Sequence, residues 1–136
     1  METTAAATST ELTILAWSVV LLIVHIVVQT LSLVKDGGLG YAISNRDGEV
    51  AISLVTGRLT RGLRNFLETY GAFIGLALAL AVTDKTGGLG ATGALVWFWA
   101  RVLYVPIFAA GIAVARTGIW TVSIIGLAMM LIRLIM

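Results

Sequence analysis

The sequence predicts an all-α membrane protein, a single domain over residues 1–136 folded as a bundle of four transmembrane helices. Of its 136 residues, 59% are hydrophobic and only 12% charged, and the mean hydropathy is +1.01, outside the range of a soluble domain. The apolar residues gather in four runs, Leu12–Val34, about Phe66–Val82, Leu89–Val114 and Gly118–Met136, each near the roughly 20 residues a spanning helix needs. These runs consume nearly the whole chain and leave no room for a soluble module.

The polar, Ala/Thr-rich Met1–Thr10 segment carries no Lys or Arg, and the run after it is too long for a signal-peptide core, so a short tail before an uncleaved first helix is expected. In that helix His25 and Gln29 lie one turn apart and share a face. Both read as interhelical hydrogen-bonding groups, with Gln29, nearer the cytoplasmic end, the better site candidate. Lys35 to about Ser53 is the only long connection, with Gly37-Gly38-Leu39-Gly40 and Asn45-Arg46-Asp47-Gly48 as turn signals. The second connection repeats Gly-Gly-Leu-Gly at 87–90. Neither copy has the strand before it or the Lys-Ser/Thr after it that a phosphate-cradling loop requires, so both read as flexible turns.

The second helix is expected to start ahead of the membrane, near Val50 to Gly57, because its first turns carry arginines that snorkel or line an aqueous cavity. Pro106 lies inside the third span, where it frees a backbone carbonyl and permits a kink. Trp97, Phe98, Trp99 and Trp120 read as including interface anchors or lipid-facing bulk. Arg116 is placed in the tight turn between the last two spans, at the cytoplasmic end of the third.

The basic residues also orient the bundle. Lys35, Arg46, Arg58, Arg61, Arg64 and Arg116 lie on one side, against Lys85 and Arg133 on the other. By the positive-inside tendency both termini are non-cytoplasmic and the first loop is cytoplasmic. The Ala/Gly/Leu-rich composition suits a bacterial inner membrane. Cysteine is absent, which excludes disulfides, thiolate metal sites and a cysteine nucleophile, and a single histidine leaves little for a metal. Any thiol chemistry must come from a bound small molecule. Membrane lipids are the expected surroundings, and no nucleic-acid partner is expected.

The residues with most to say are Arg58, Arg61, Arg64, Asn65 and Glu68. At about 100° per residue, Arg58, Arg61, Asn65 and Glu68 fall within roughly 80° of arc, with Arg64 about 40° further round. Polar groups in an apolar helix are costly and need a reason. One reading is an ion pair from Glu68 to Arg61 or Arg64 that fixes an interface. The other is that three arginines against one glutamate leave positive charge for an anionic ligand. On the third helix Arg101, Tyr104 and Phe108 share a face. A mid-span arginine beside a phenol can bind a carboxylate or favour a ligand thiolate, or Arg101 can pair with Glu68 as internal glue. Arg116 reads either as a site residue or as a helix C-terminal or headgroup contact.

Arg58-x-x-Arg61-x-x-x-Asn65-x-x-Glu68 resembles the second-helix signature of the MAPEG family, the membrane-associated proteins of eicosanoid and glutathione metabolism, and Arg101-x-x-Tyr104 resembles the matching element of its third helix. The likeness, which is to the microsomal glutathione transferases among them, extends over the four spans, the long first loop and the short third connection. It implies a homotrimer with glutathione bound between neighbouring subunits at the cytoplasmic side, its thiol activated toward a lipophilic substrate. Carried over by position, Arg61, Asn65, Glu68 and Tyr104 contact glutathione, Arg58 and Arg64 lie near its carboxylates, and Arg116 resembles the arginine that holds the thiol as thiolate, with Tyr104 as helper. Arg101 and Gln29 complete the expected binding set.

The chain departs from the family pattern at two places. The position four residues after Tyr104, often a second tyrosine, holds Phe108, and a proline common just after the Asn-x-x-Glu element is Gly71. Two functions are therefore carried forward: a glutathione-dependent transferase or peroxidase acting on lipophilic electrophiles or hydroperoxides, and a non-catalytic membrane scaffold or lipid-binding protein of the same fold. Small multidrug exporters match the chain in size, but they carry a membrane-embedded glutamate in the first helix, where this chain has only Glu11 at the outer edge.

Overall fold

The computed structural model describes residues 8–136. It contains four helices, α1 (Thr10–Ala42), α2 (Leu54–Val82), α3 (Gly88–Ala110) and α4 (Ala113–Ile135), and no strand among the described residues. Each is long and apolar enough to cross a membrane. The expectation for the Met1–Thr10 tail falls largely on residues outside the described ones.

Local chemistry sets the helix ends. The Ser9 and Ser53 hydroxyls accept from the Leu12 and Thr56 amides and cap α1 and α2, satisfying N–H groups that have no partner within the helix. With 29 residues, α2 is about 44 Å long against a hydrocarbon core of about 30 Å. It is therefore longer than an upright crossing needs.

Three boundaries differ from the sequence expectation: the end of α1, the end of α3, and the start of α4, which lies at Ala113 ahead of Gly118. α1 does not stop near Val34. It breaks at Gly38 (φ 83°, ψ 162°) and resumes as helix to Ala42, so the first Gly-Gly-Leu-Gly marks a kink between two helical segments and does not end α1. The Ser53 amide donates to Asp36 Oδ2 at 2.8 Å, which closes the connection at its base. α3 ends at Ala110, short of Val114, because Gly111 takes the left-handed conformation (φ 78°, ψ 26°) that terminates helices. Pro106 lies within α3 without ending it. Hydropathy alone does not register Gly111, which sits in an apolar run.

α1 packs on α2 and α3, α2 also meets α4, and α3 and α4 share the most extensive contact, while α1 and α4 do not touch among the described residues. A Cβ on Gly93 would lie 2.6 Å from the Gly126 carbonyl oxygen, and one on Gly126 would lie 2.7 Å from the Trp97 amide. Small residues here let two backbones approach closely, which is how helices associate where lipid supplies no hydrophobic drive. The core joins Phe66, Phe73, Leu80, Trp97 and Met130, none exposed. The Trp97 ring stacks on Phe73 with centroids 3.8 Å apart, so Trp97 belongs to the core and is not an interface anchor.

Glu11, read as an outer-edge residue, is fully buried. Its two carboxylate oxygens accept from the Gly87 amide at 3.2 and 2.9 Å. Beside it Lys85 Nζ donates to the Leu134 carbonyl and Arg133 Nε to the Lys85 carbonyl, both at 2.9 Å. The start of α1, the α2–α3 turn and the end of α4 are thus tied together, and the other end of the bundle is left for the polar stripe.

Candidate functional site

The 3.6-residue period of α2 turns Arg61, Arg64, Asn65 and Glu68 toward α3 and α4, where they meet Tyr104, Phe108, Arg116, Thr117 and Trp120 around a cavity of about 430 Å³. Tyr104 and Phe108 are buried in its floor, Arg61, Arg64 and Glu68 are exposed at its rim, and Asn65 is intermediate. A smaller cavity of about 150 Å³ adjoins it, lined by Arg58, Arg61, Phe108, Arg116 and the Gly111–Ala113 turn. Three guanidiniums, one carboxylate, one phenol and one amide thus converge on the larger space.

Arg116 is placed differently from the sequence expectation. With α3 ending at Ala110, Arg116 falls in the first turn of α4, so the helix C-terminal role does not apply. A cation at the positive end of a helix dipole is disfavoured, and the two together favour a nearby anion. The Arg116 guanidinium lies 5.1 Å from the Phe108 ring centroid, where the ring face supports a cation.

Arg58 has a structural partner. One of its guanidinium nitrogens donates to the Ala109 carbonyl at 3.3 Å, at the negative end of α3, where a cation is favoured. It reaches the smaller cavity and not the larger one.

Arg101 has no exposed surface. It donates to Asn65 Oδ1 at 2.8 Å, and its guanidinium carbon lies 4.3 Å from the Tyr104 centroid and 5.4 Å from that of Phe66. The internal-glue partner is therefore Asn65 and not Glu68. Arg101 stands behind the cavity wall, and neither Arg101 nor Gln29 lines it. Gln29 Nε2 donates to Thr60 Oγ1 at 3.2 Å, the interhelical bond expected of it. His25 differs: it is buried, stacks on Phe66 at 5.2 Å, and its Nε2 has no partner. No group of residues able to hold a metal ion occurs among the described residues.

Sequence reasoning missed Thr117 and Trp120 as wall residues. Once α4 is known to begin at Ala113, Trp120 stands one turn after Arg116 on the same face, and that i, i+4 spacing is the signal that could have found it.

Neither the curated proteins nor the solved structures hold a match to this chain. The model of the MAPEG family matches residues 10–136, a range that contains all four helices and every wall residue of the cavity. The four-helix membrane bundle and its polar stripe therefore belong to a member of the MAPEG family.

Proposed function

We propose that the protein is a glutathione-dependent membrane transferase or peroxidase acting on lipophilic electrophiles or hydroperoxides. Membership of the MAPEG family is consistent with a role in glutathione or eicosanoid metabolism. The observation that carries the finer reading is the charge pattern of the cavity, where Arg61, Arg64 and Arg116 face a single carboxylate, Glu68. Glutathione has two carboxylates and one ammonium group, and this set of side chains complements them.

Bound glutathione supplies a thiol, the nucleophile that a cysteine-free chain lacks. Arg61 and Arg64 hold its carboxylates and Glu68 holds its ammonium. Arg116 stabilises the thiolate, helped by the positive end of α4 and by the Tyr104 hydroxyl, and so lowers the thiol pKa. The aromatic wall of Phe108 and Trp120 excludes water and receives a lipophilic partner from the bilayer.

In this reading the chain assembles as a homotrimer, with each cavity completed by a neighbouring subunit. Its termini are non-cytoplasmic, and the membrane is the inner membrane of a bacterium. The exposed rim residues Arg61, Arg64 and Glu68 support such completion. A second reading, a non-catalytic scaffold or lipid-binding protein, is favoured by Phe108, which offers no hydroxyl to the cavity.

The test is glutathione binding to the detergent-purified protein, followed by ultraviolet absorbance of the bound thiolate near neutral pH. Binding with a thiolate band that Arg116→Ala abolishes is the expected result. Binding without the band favours the non-catalytic reading, and no binding overturns the proposal.

A further inference from the structure

Arg101 is a fully buried guanidinium with one hydrogen-bond partner, Asn65 Oδ1 at 2.8 Å, while its Nε and one terminal nitrogen have none. No carboxylate is bonded to it, so its charge is balanced only by the amide oxygen of Asn65 and the ring faces of Tyr104 and Phe66. Such a group is expensive in a membrane helix and marks function more often than packing. Two of its three contacts, Asn65 and Tyr104, are wall residues of the cavity, while Arg101 itself is not.

The chemistry of the contact fixes the direction of the Asn65 amide. A guanidinium has donors only, so it requires the amide oxygen. With one lone pair of Oδ1 engaged by Arg101, the Nδ2 group is free to donate, and Asn65 faces a ligand chiefly as an N–H donor. Tyr104 is backed in the same way by the cation beneath its ring, which favours its hydroxyl acting as a donor.

We propose that Arg101 is a positioning residue: it orients Asn65 and backs Tyr104 so that both turn hydrogen-bond donors to the cavity, which selects an anionic or carbonyl group of the ligand there. This rests on the glutathione reading above and adds the device that makes the floor selective. Glu68 is the one carboxylate among the wall residues, and it stands apart from the floor at the rim.

The decisive variant is Asn65→Asp, examined in detergent for thermal unfolding and for glutathione binding. The new carboxylate meets an unbalanced guanidinium, so the unfolding midpoint rises. The donor is replaced by a like charge, so glutathione affinity falls by about tenfold or more, and the thiolate band of residual complex moves to higher pH. A merely structural role for Arg101 predicts the rise without the loss of affinity or the shift of the band. Arg101→Gln removes the orienting charge; it weakens binding, and in its presence Asn65→Asp no longer stabilises, a coupling read by the double-mutant cycle.

Binding by Asn65→Asp within twofold of wild type overturns the assignment, as does a lowered midpoint or failure to fold. Failure of the wild-type protein to bind glutathione overturns the proposed function and the ligand assigned here. The midpoint arm uses no ligand and still decides the Arg101–Asn65 contact.

Discussion

The Arg58 guanidinium rests on Gly111. A Cβ at Gly111 would lie 2.6 Å from Arg58 Cζ and 2.7 Å from both terminal nitrogens, and the residue has φ 78°. The turn that ends α3 and begins α4 is therefore shaped by two independent requirements, a left-handed backbone and room for a cation. Arg116 stands five residues beyond it in the start of α4, so its position in the cavity depends on this pair.

Gly111→Ala should be strongly destabilising, by about 1–3 kcal/mol from the backbone term alone, with more from the displaced guanidinium. Adding Arg58→Ala should recover the steric part and none of the backbone part. Thermal unfolding of the two single variants and the double variant measures the coupling.

Gly93→Ala and Gly126→Ala should each cost about 1–3 kcal/mol by forcing α3 from α4. Gly71→Ala, where nothing lies within 4 Å of the added Cβ, should be neutral or stabilising by up to about 1 kcal/mol through helix propensity. Comparing the unfolding midpoints of the three variants checks this; equal effects would refute the close-packing account.

Glu11→Ala removes a buried carboxylate and leaves the half-buried Gly87 amide without its acceptor. The expected loss is about 1–3 kcal/mol, with glutathione affinity unchanged because the contact lies at the other end of the bundle. A fall in affinity at full folding would show that the two ends are coupled.

Phe108→Tyr adds a hydroxyl to a ring that lies beside Arg116 and lines both cavities. One added hydrogen bond is worth about 0.5–1.5 kcal/mol, so glutathione affinity or the thiolate fraction should rise roughly two- to tenfold. A titration of the thiolate band in both proteins decides it, and no change would mean that the hydroxyl points elsewhere.

The four spans were legible because lipid imposes length and composition on any helix that crosses it. The α2 side of the cavity was equally legible, since Arg61, Arg64, Asn65 and Glu68 follow one helical period. The α4 side was not: the place of Arg116 and the presence of Thr117 and Trp120 depend on where Gly111 stops α3, a conformational matter to which hydropathy is blind. The roles of Arg58 and Arg101 were hidden for another reason. Composition places an arginine on a helix, but only packing shows whether its guanidinium ends on a carbonyl, on an amide or in open space.

The bond from the Ser53 amide to Asp36 Oδ2 has a consequence for how this chain tolerates change. It clasps the connection at its neck, so the residues between lie outside the mechanical path joining α1 to α2. Lengthening the coil after Ala42 adds only the slowly growing entropy of a longer closed loop, about 0.6 kcal/mol for each doubling. Proteolytic nicking there would leave the halves gripped by the bundle. The coil after Ala42 should thus accept changes of length more readily than the helices that hold the arginine-lined cavity in register.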